Sequence, residues 1–213
     1  NYQMAEYNIK KVLHADPNNY NAKKIYEHLL KIKAEISIKQ AREFVVNKNY
    51  LKASEEYSNA IKLDTSNSYA YFERSQIYYA LKKYELALND INTAEELNKS
   101  FSDHSINFIK GKILFNIGSI EDSIKSFEKE IKYKPGNVIG ILWQIRALSK
   151  NKEYSSAKIY AEKLIKIDPN SARSYSILGD ILLFMGELEE SNKYHALALK
   201  LDPNYKIATK TFN

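Results

Sequence analysis

Apolar residues recur along this chain at three- and four-residue spacing, interrupted by short polar segments, and this period predicts a succession of amphipathic α-helices with no strand. The helices read as pairs. A small residue stands on each first helix where the second must cross it, at Ala41, Ser75, Gly111 and Gly179, with Ile145 as the exception. The matching column on the second helices is Ala53, Ala87, Ser123, Ala157 and Ser191, all small. Close helix approach explains both columns, because a larger side chain would force a pair apart at about 1–3 kcal/mol. Large residues fill two further columns: Phe44, Tyr78, Leu114, Leu148 and Leu182 on the first helices, then Tyr57, Ile91, Phe127, Ala161 and His195 on the second. These are expected to be core. Tyr50, Tyr84, Ile120, Tyr154 and Leu188 open each second helix and should fill the gap between neighbouring pairs. Ile145 and Glu130 break the pattern, so looser or differently tilted packing is expected around the last two pairs.

Pro135, Pro169 and Pro203 stand 34 residues apart, each near the end of an apolar run, in EKEIKYKPGN, AEKLIKIDPN and ALALKLDPNY. With small and aromatic residues at fixed offsets between them, the chain resembles the tetratricopeptide repeat (TPR) family. The resemblance covers essentially the whole chain and implies an all-α, right-handed superhelical solenoid. Five repeats are expected over 34–205, at 34–67, 68–103, 104–137, 138–171 and 172–205, with two residues inserted around Ser100 to Asp103. A half repeat and the start of a linking helix would occupy 1–33, and 206–213 would begin a capping helix. The first residues read as the second helix of a repeat whose first helix lies upstream.

From Pro17 the next equivalent position is Thr65, 48 residues on, so 14 residues are added. That is almost four helical turns, and neither Pro nor Gly interrupts Asn18 to Lys48. One elongated helix from about Asn19 to Asn47 is expected, with two helices linked near Lys31 to Ala34 as the alternative.

Composition narrows the chemistry. Hydrophobic residues make up 44% and charged residues 27%, which excludes the disordered class. No cysteine is present, so disulfides, thiolate metal sites and cysteine nucleophiles are excluded. No apolar run is long enough for membrane insertion. The net charge of +6 is concentrated between Lys10 and Lys52, where ten basic residues face only Asp16, Glu27, Glu35 and Glu43. A solvated face is the simpler reading, and an acidic partner the functional one. His14, His28, His104 and His195 fall at unrelated helical positions, and no catalytic or nucleotide-binding motif occurs. No catalytic residue, metal site or cofactor is expected.

The resemblance implies that first helices line a concave groove. Its columns here are Ile38, Phe72, Phe108, Leu142 and Ser176; then Arg42, Gln76, Lys112, Arg146 and Asp180; then Val45, Tyr79, Phe115, Ser149 and Leu183. These columns are read as unneeded for the core within a pair, so their apolar character marks a ligand surface or packing between adjacent first helices. The expected groove residues are Ile38, Arg42, Tyr69, Phe72, Tyr79, Phe108, Lys112, Phe115, Leu142, Arg146 and Arg173. The carboxylate clamp by which some TPR domains grip heat-shock-protein tails is absent, since Ile38, Arg42, Glu73, Ser105 and Ile109 stand where its Lys, Asn and Arg would. The asparagine ladder of the O-linked N-acetylglucosamine transferase is absent too, because Lys39, Glu73, Ile109, Trp143 and Ile177 occupy that column.

The long-helix junction resembles that of TPR-bearing DnaJ-type co-chaperones. The expected function is therefore a scaffold or adaptor binding a protein or peptide segment, apolar with acidic residues. A holdase-like co-chaperone module is the alternative, and RNA binding along Lys23, Lys24, Lys31, Lys33, Lys39 and Arg42 a distant third. The cytoplasm is the expected compartment, or the lumen of the endoplasmic reticulum for a co-chaperone.

Overall fold

The structure, a computed structural model, describes residues 2–97 and 104–206. The expected insertion around Ser100 to Asp103 lies outside the described residues, as does the expected capping helix over 206–213 apart from Lys206. The described chain is all helical and divides into two compact units, 1–101 and 102–213. The first holds α1 (Tyr2–Ala15), α2 (Tyr20–Val46), α3 (Tyr50–Leu63), α4 (Ser68–Ala80) and α5 (Tyr84–Leu97). The second holds α6 (His104–Ile117), α7 (Ile120–Tyr133), α8 (Val138–Lys150), α9 (Tyr154–Ile167), α10 (Ala172–Met185) and α11 (Leu188–Leu201). Within each unit every helix packs on the next in sequence, as short connections require.

The elongated helix is continuous. α2 runs 27 residues, about 40 Å at 1.5 Å per residue, between Asn19, whose side chain accepts the Ala22 N–H, and Asn47. Around Lys31 to Ala34 there is no break. Instead Lys33 donates to Glu6 of α1 at 2.6 Å, and Ala34 is fully buried.

Two kinds of turn recur. Between the paired helices, one residue adopts the left-handed conformation: Lys48, Lys82, Gly118, Lys152 and Gly186. At each, the next residue's N–H reaches back to the core column, as in Glu153 to Leu148 and Glu187 to Leu182, both at 2.9 Å, which is the double-bonded Schellman ending. Between pairs, an aspartate closes the turn by accepting the N–H two residues on. Asp16, Asp64, Asp168 and Asp202 all do this. Asn19, Asn67, Asn137 and Ser171 then cap the following helix.

The small columns lie where the sequence places them, and the reason is measurable. A Cβ on Gly111 would stand 2.6 Å from the buried Phe127 ring, and one on Gly179 would strike His195. Ser123 donates to the Gly111 carbonyl at 2.9 Å and Ser191 to that of Gly179 at 2.8 Å. Small residue and large residue are thus partners across each pair. The expected looseness at Ile145 is corrected by this pairing. Ile145 takes the small position, Ala161 takes the large one, and both are buried in one cluster with Leu148, Leu178 and Ile181, so the bulk has merely changed helices. Glu130, in an alanine column, is also buried, and its Oε1 accepts from the side chain of Asn137 at 2.8 Å.

Candidate functional site

In the second unit the first helices of the pairs carry a connected set of rings and cations. Trp143 of α8 stacks on Phe127 at 5.9 Å and meets Phe115 edge-on at 5.6 Å, while Phe108 lies 6.1 Å from Phe127. Lys112 of α6 reaches over the faces of Phe108 and Trp143 at 5.5 and 5.8 Å. Arg146, one helical turn beyond Leu142, lies over Phe115 and Trp143 at 5.1 and 5.2 Å. Trp143 is therefore flanked by two cations, an arrangement favoured by the negative face of the indole. Burial pulls the Lys112 ammonium below its usual pKa, because the charged form loses hydration there.

Beside this cluster, α8 and α10 frame a cavity of about 320 Å³ lined by Ile139, Leu142, Trp143, Ile145, Arg146, Arg173 and Ile177. The lining contains no carboxylate. Arg146 and Arg173 are both exposed, and among the described residues neither makes an ion pair. Arg173 stands in the first turn of α10, where the helix dipole disfavours a cation.

The first unit has a different site. Ile38, Arg42 and Tyr69 line a cavity of about 330 Å³ together with Glu35 and Asn67. Here charge is balanced: Arg42 faces Glu73 at 3.8 Å, and Glu35 lies on the same wall. Burial raises the Glu73 carboxyl, and Arg42 opposes that shift.

The expected groove residues divide accordingly. Leu142, Arg146 and Arg173 meet in the cavity of the second unit, and Phe108, Lys112 and Phe115 join it through Trp143. Ile38, Arg42 and Tyr69 meet in the first unit, whereas Phe72 and Tyr79 do not line that cavity; Tyr79 packs on Tyr84 at 5.6 Å. The reading of these columns as unneeded for the core within a pair is corrected, since Ile38 is buried and Phe108 packs on Phe127 of its own pair. The cause is the width of the buried stripe, which on α6 extends past the crossing point to reach Phe127. Asp180, placed by sequence in the cationic column, is buried, with His195 Nε2 3.1 Å from its Oδ1. His195 is a packed histidine with a carboxylate partner.

Trp143, Ile139 and Ile177 were not among the expected site residues. The signal was present, because Trp143 is the single tryptophan and adjoins Leu142, but columns taken one at a time hide neighbours on adjacent helices. A buried pair also escaped notice: Arg74 binds both oxygens of Asp90, at 2.7 and 2.8 Å, and donates to Ser58 at 2.9 Å. Burial opposes the Arg74 charge, but the Asp90 hydrogen bonds and charge outweigh it and hold its pKa above the usual value. Among the described residues no three potential metal ligands converge.

These helix pairs match a family model described as tetratricopeptide repeat at residues 68–101, 146–171 and 172–205. The chain carries tetratricopeptide repeats. This TPR chain is 26% identical over 208 residues to a DnaJ homolog subfamily C member 7 homolog of Dictyostelium discoideum, covering 96% of this chain and 35% of that protein. Among solved structures it is similar to MamA, with a TM-score of 0.74 and 18% identity, covering 80% of this chain and 92% of that one. It is likewise similar to YrrB, described as a TPR protein with an unusual peptide-binding site, with a TM-score of 0.71 and 13% identity over 93% of this chain and 94% of that one. The TPR chain spans about a third of the length of the curated relatives it matches first. Proteins of this repeat class mediate protein–protein interaction, and no described helix is long and apolar enough to cross a membrane.

Proposed function

We propose that this chain is a non-enzymatic scaffold that holds a partner polypeptide against the first helices of its pairs, with Leu142, Arg146 and Arg173 in the second unit as the contact centre. The observation that carries the reading is the cavity between α8 and α10, lined by Ile139, Leu142, Trp143, Ile145 and Ile177 together with two arginines. Phe108, Lys112 and Phe115 support that centre through the Trp143 ring cluster. In the first unit Ile38, Arg42 and Tyr69 form a second contact. The described peptide-binding site of YrrB is in keeping with this reading.

Crosslinking mass spectrometry from the native source tests it. Partner crosslinks are expected near Ile139 to Arg146 and Arg173, and Leu142→Ala should weaken a captured partner by about 1–2 kcal/mol, as truncation of an apolar anchor does. A partner that binds Leu142→Ala and Arg173→Glu proteins as it binds the parent would exclude this face.

A second reading is a co-chaperone module that holds unfolded chains of many sequences. It is favoured by the similarity to a DnaJ homolog over nearly the whole chain. Suppression of a model client's aggregation at near-stoichiometric ratio separates it from the one-partner scaffold.

A further inference from the structure

The geometry points to a specific class of partner for the second unit: a linear acidic segment that places one large aliphatic or aromatic side chain in the cavity and pairs flanking carboxylates with Arg146 and Arg173. This inference rests on the peptide-holding reading above and adds the chemistry of what is held.

Size excludes a large ligand. At about 320 Å³ the cavity is at the lower end of ligand pockets, room for one large side chain and little more. Apart from the two arginines, its lining residues are Ile139, Leu142, Trp143, Ile145 and Ile177, which offer mainly apolar surface to that side chain. The charge around it has one sign. Among the described residues neither arginine is paired with a carboxylate, and Arg173 is set against the dipole of α10, so an anion brought to this rim relieves repulsion as well as gaining attraction. A guanidinium pairs with a carboxylate through two parallel hydrogen bonds, which suits Asp and Glu side chains.

Spacing narrows the partner further. Ile139 and Arg146 are seven residues apart on α8, about 10 Å along its axis, and Arg173 holds in α10 the place of Ile139 in α8, the second residue of the helix. The two cations therefore stand toward opposite ends of the cavity. An extended chain advances about 3.3 Å per residue, so carboxylates about three positions apart, with the anchor between them, fit both. The cavity of the first unit, where Glu35 shares the wall with Arg42, lacks this one-signed rim.

The test is selection of random dodecapeptides on the whole chain, with binding read from the emission of Trp143, the single tryptophan. Enriched peptides are expected to carry Asp or Glu on both sides of a large apolar residue and to shift Trp143 emission. Arg146→Gln with Arg173→Gln should weaken them tenfold or more while leaving the helical circular dichroism of the free chain unchanged, and replacing the peptides' acids by Asn and Gln should weaken binding as much. Enriched peptides that shift Trp143 emission but lack acidic residues, or that ignore the double substitution, would overturn the acidic class and leave peptide holding intact. If no peptide is enriched, both readings fall. A twelve-residue oligothymidylate that displaces the enriched peptides at 150 mM salt would reassign the rim to nucleic acid and overturn the inference.

Discussion

Single residues decide how each pair ends, and three of them work against their own covalent structure. Lys48, Lys82 and Lys152 hold φ between 56° and 61° in the turn where Gly118 and Gly186 stand in other pairs. A side chain in that region costs about 1 kcal/mol or more relative to glycine, offset in part by glycine's greater freedom when unfolded. Lys152→Gly is therefore expected to be neutral or to stabilise by up to about 1 kcal/mol, and Gly186→Ala to destabilise by about 1 kcal/mol, both by urea denaturation. Equal losses from the two substitutions would show that the Lys152 side chain, not its backbone, matters in the turn. The apolar period does not reveal these turns, because the left-handed position tolerates lysine and so has no fixed letter. The prolines were visible for the opposite reason: Pro169 and Pro203 each follow an aspartate whose side chain closes the turn, so their place is bound to a period.

At the scale of the helix pair, what is kept is the sum of two side chains and not either one. Gly111 faces Phe127, Gly179 faces His195, and in α8 and α9 the order is reversed at Ile145 and Ala161. Ile145→Ala should open a cavity costing about 2–4 kcal/mol, and Ala161→Phe should overpack by about 1–3 kcal/mol. Together they should recover much of the loss, a coupling that denaturation of the single and double variants would measure and that simple additivity would refute. Both columns could be read from the sequence, but not their compensation, since the pattern marks which positions are buried and not which pair shares one space. The contact of α1 with α2 includes the ion pair of Lys33 with Glu6. Hydrogen bonds from Lys10 and then Lys33 hold the Glu6 carboxyl down to about 2, below the usual 4.5. Because the folded value is the lower one, this contribution is present above pH 4.5 and fades as pH falls toward 2. The protection of α1 amides, corrected for the intrinsic pH dependence of exchange, should fall over that window, and Glu6→Gln should abolish that fall while leaving α3 unchanged.

For the molecule as a whole, repeat architecture was legible because it is written many times, whereas the candidate site was legible only in part because it is written once. The cationic column and Leu142 stood out by periodicity, but the carboxylate-free cavity is assembled from α8 and α10 and depends on Trp143, which no period marks. Charge has the same limit: a sequence shows where basic residues cluster and hides which are already paired. Of the basic stretch from Lys10 to Lys52, Lys10 and Lys33 meet at Glu6, Arg42 faces Glu73, and Lys24 and Lys52 lie over the rings of Tyr20 and Phe44. That leaves Lys23, Lys31 and Lys39 of α2 as the cations on which a phosphate backbone would have to rely. Single-strand binding by such a surface would lose affinity with a slope of about 0.7 per neutralised phosphate as salt rises. A twenty-nucleotide RNA is accordingly expected to show little or no binding at 150 mM salt by filter retention, and Lys24→Glu, Lys31→Glu and Lys39→Glu together should change nothing there. Tight binding under those conditions, lost in the triple variant, would mean that the long helix carries a nucleic-acid surface despite its ion pairs.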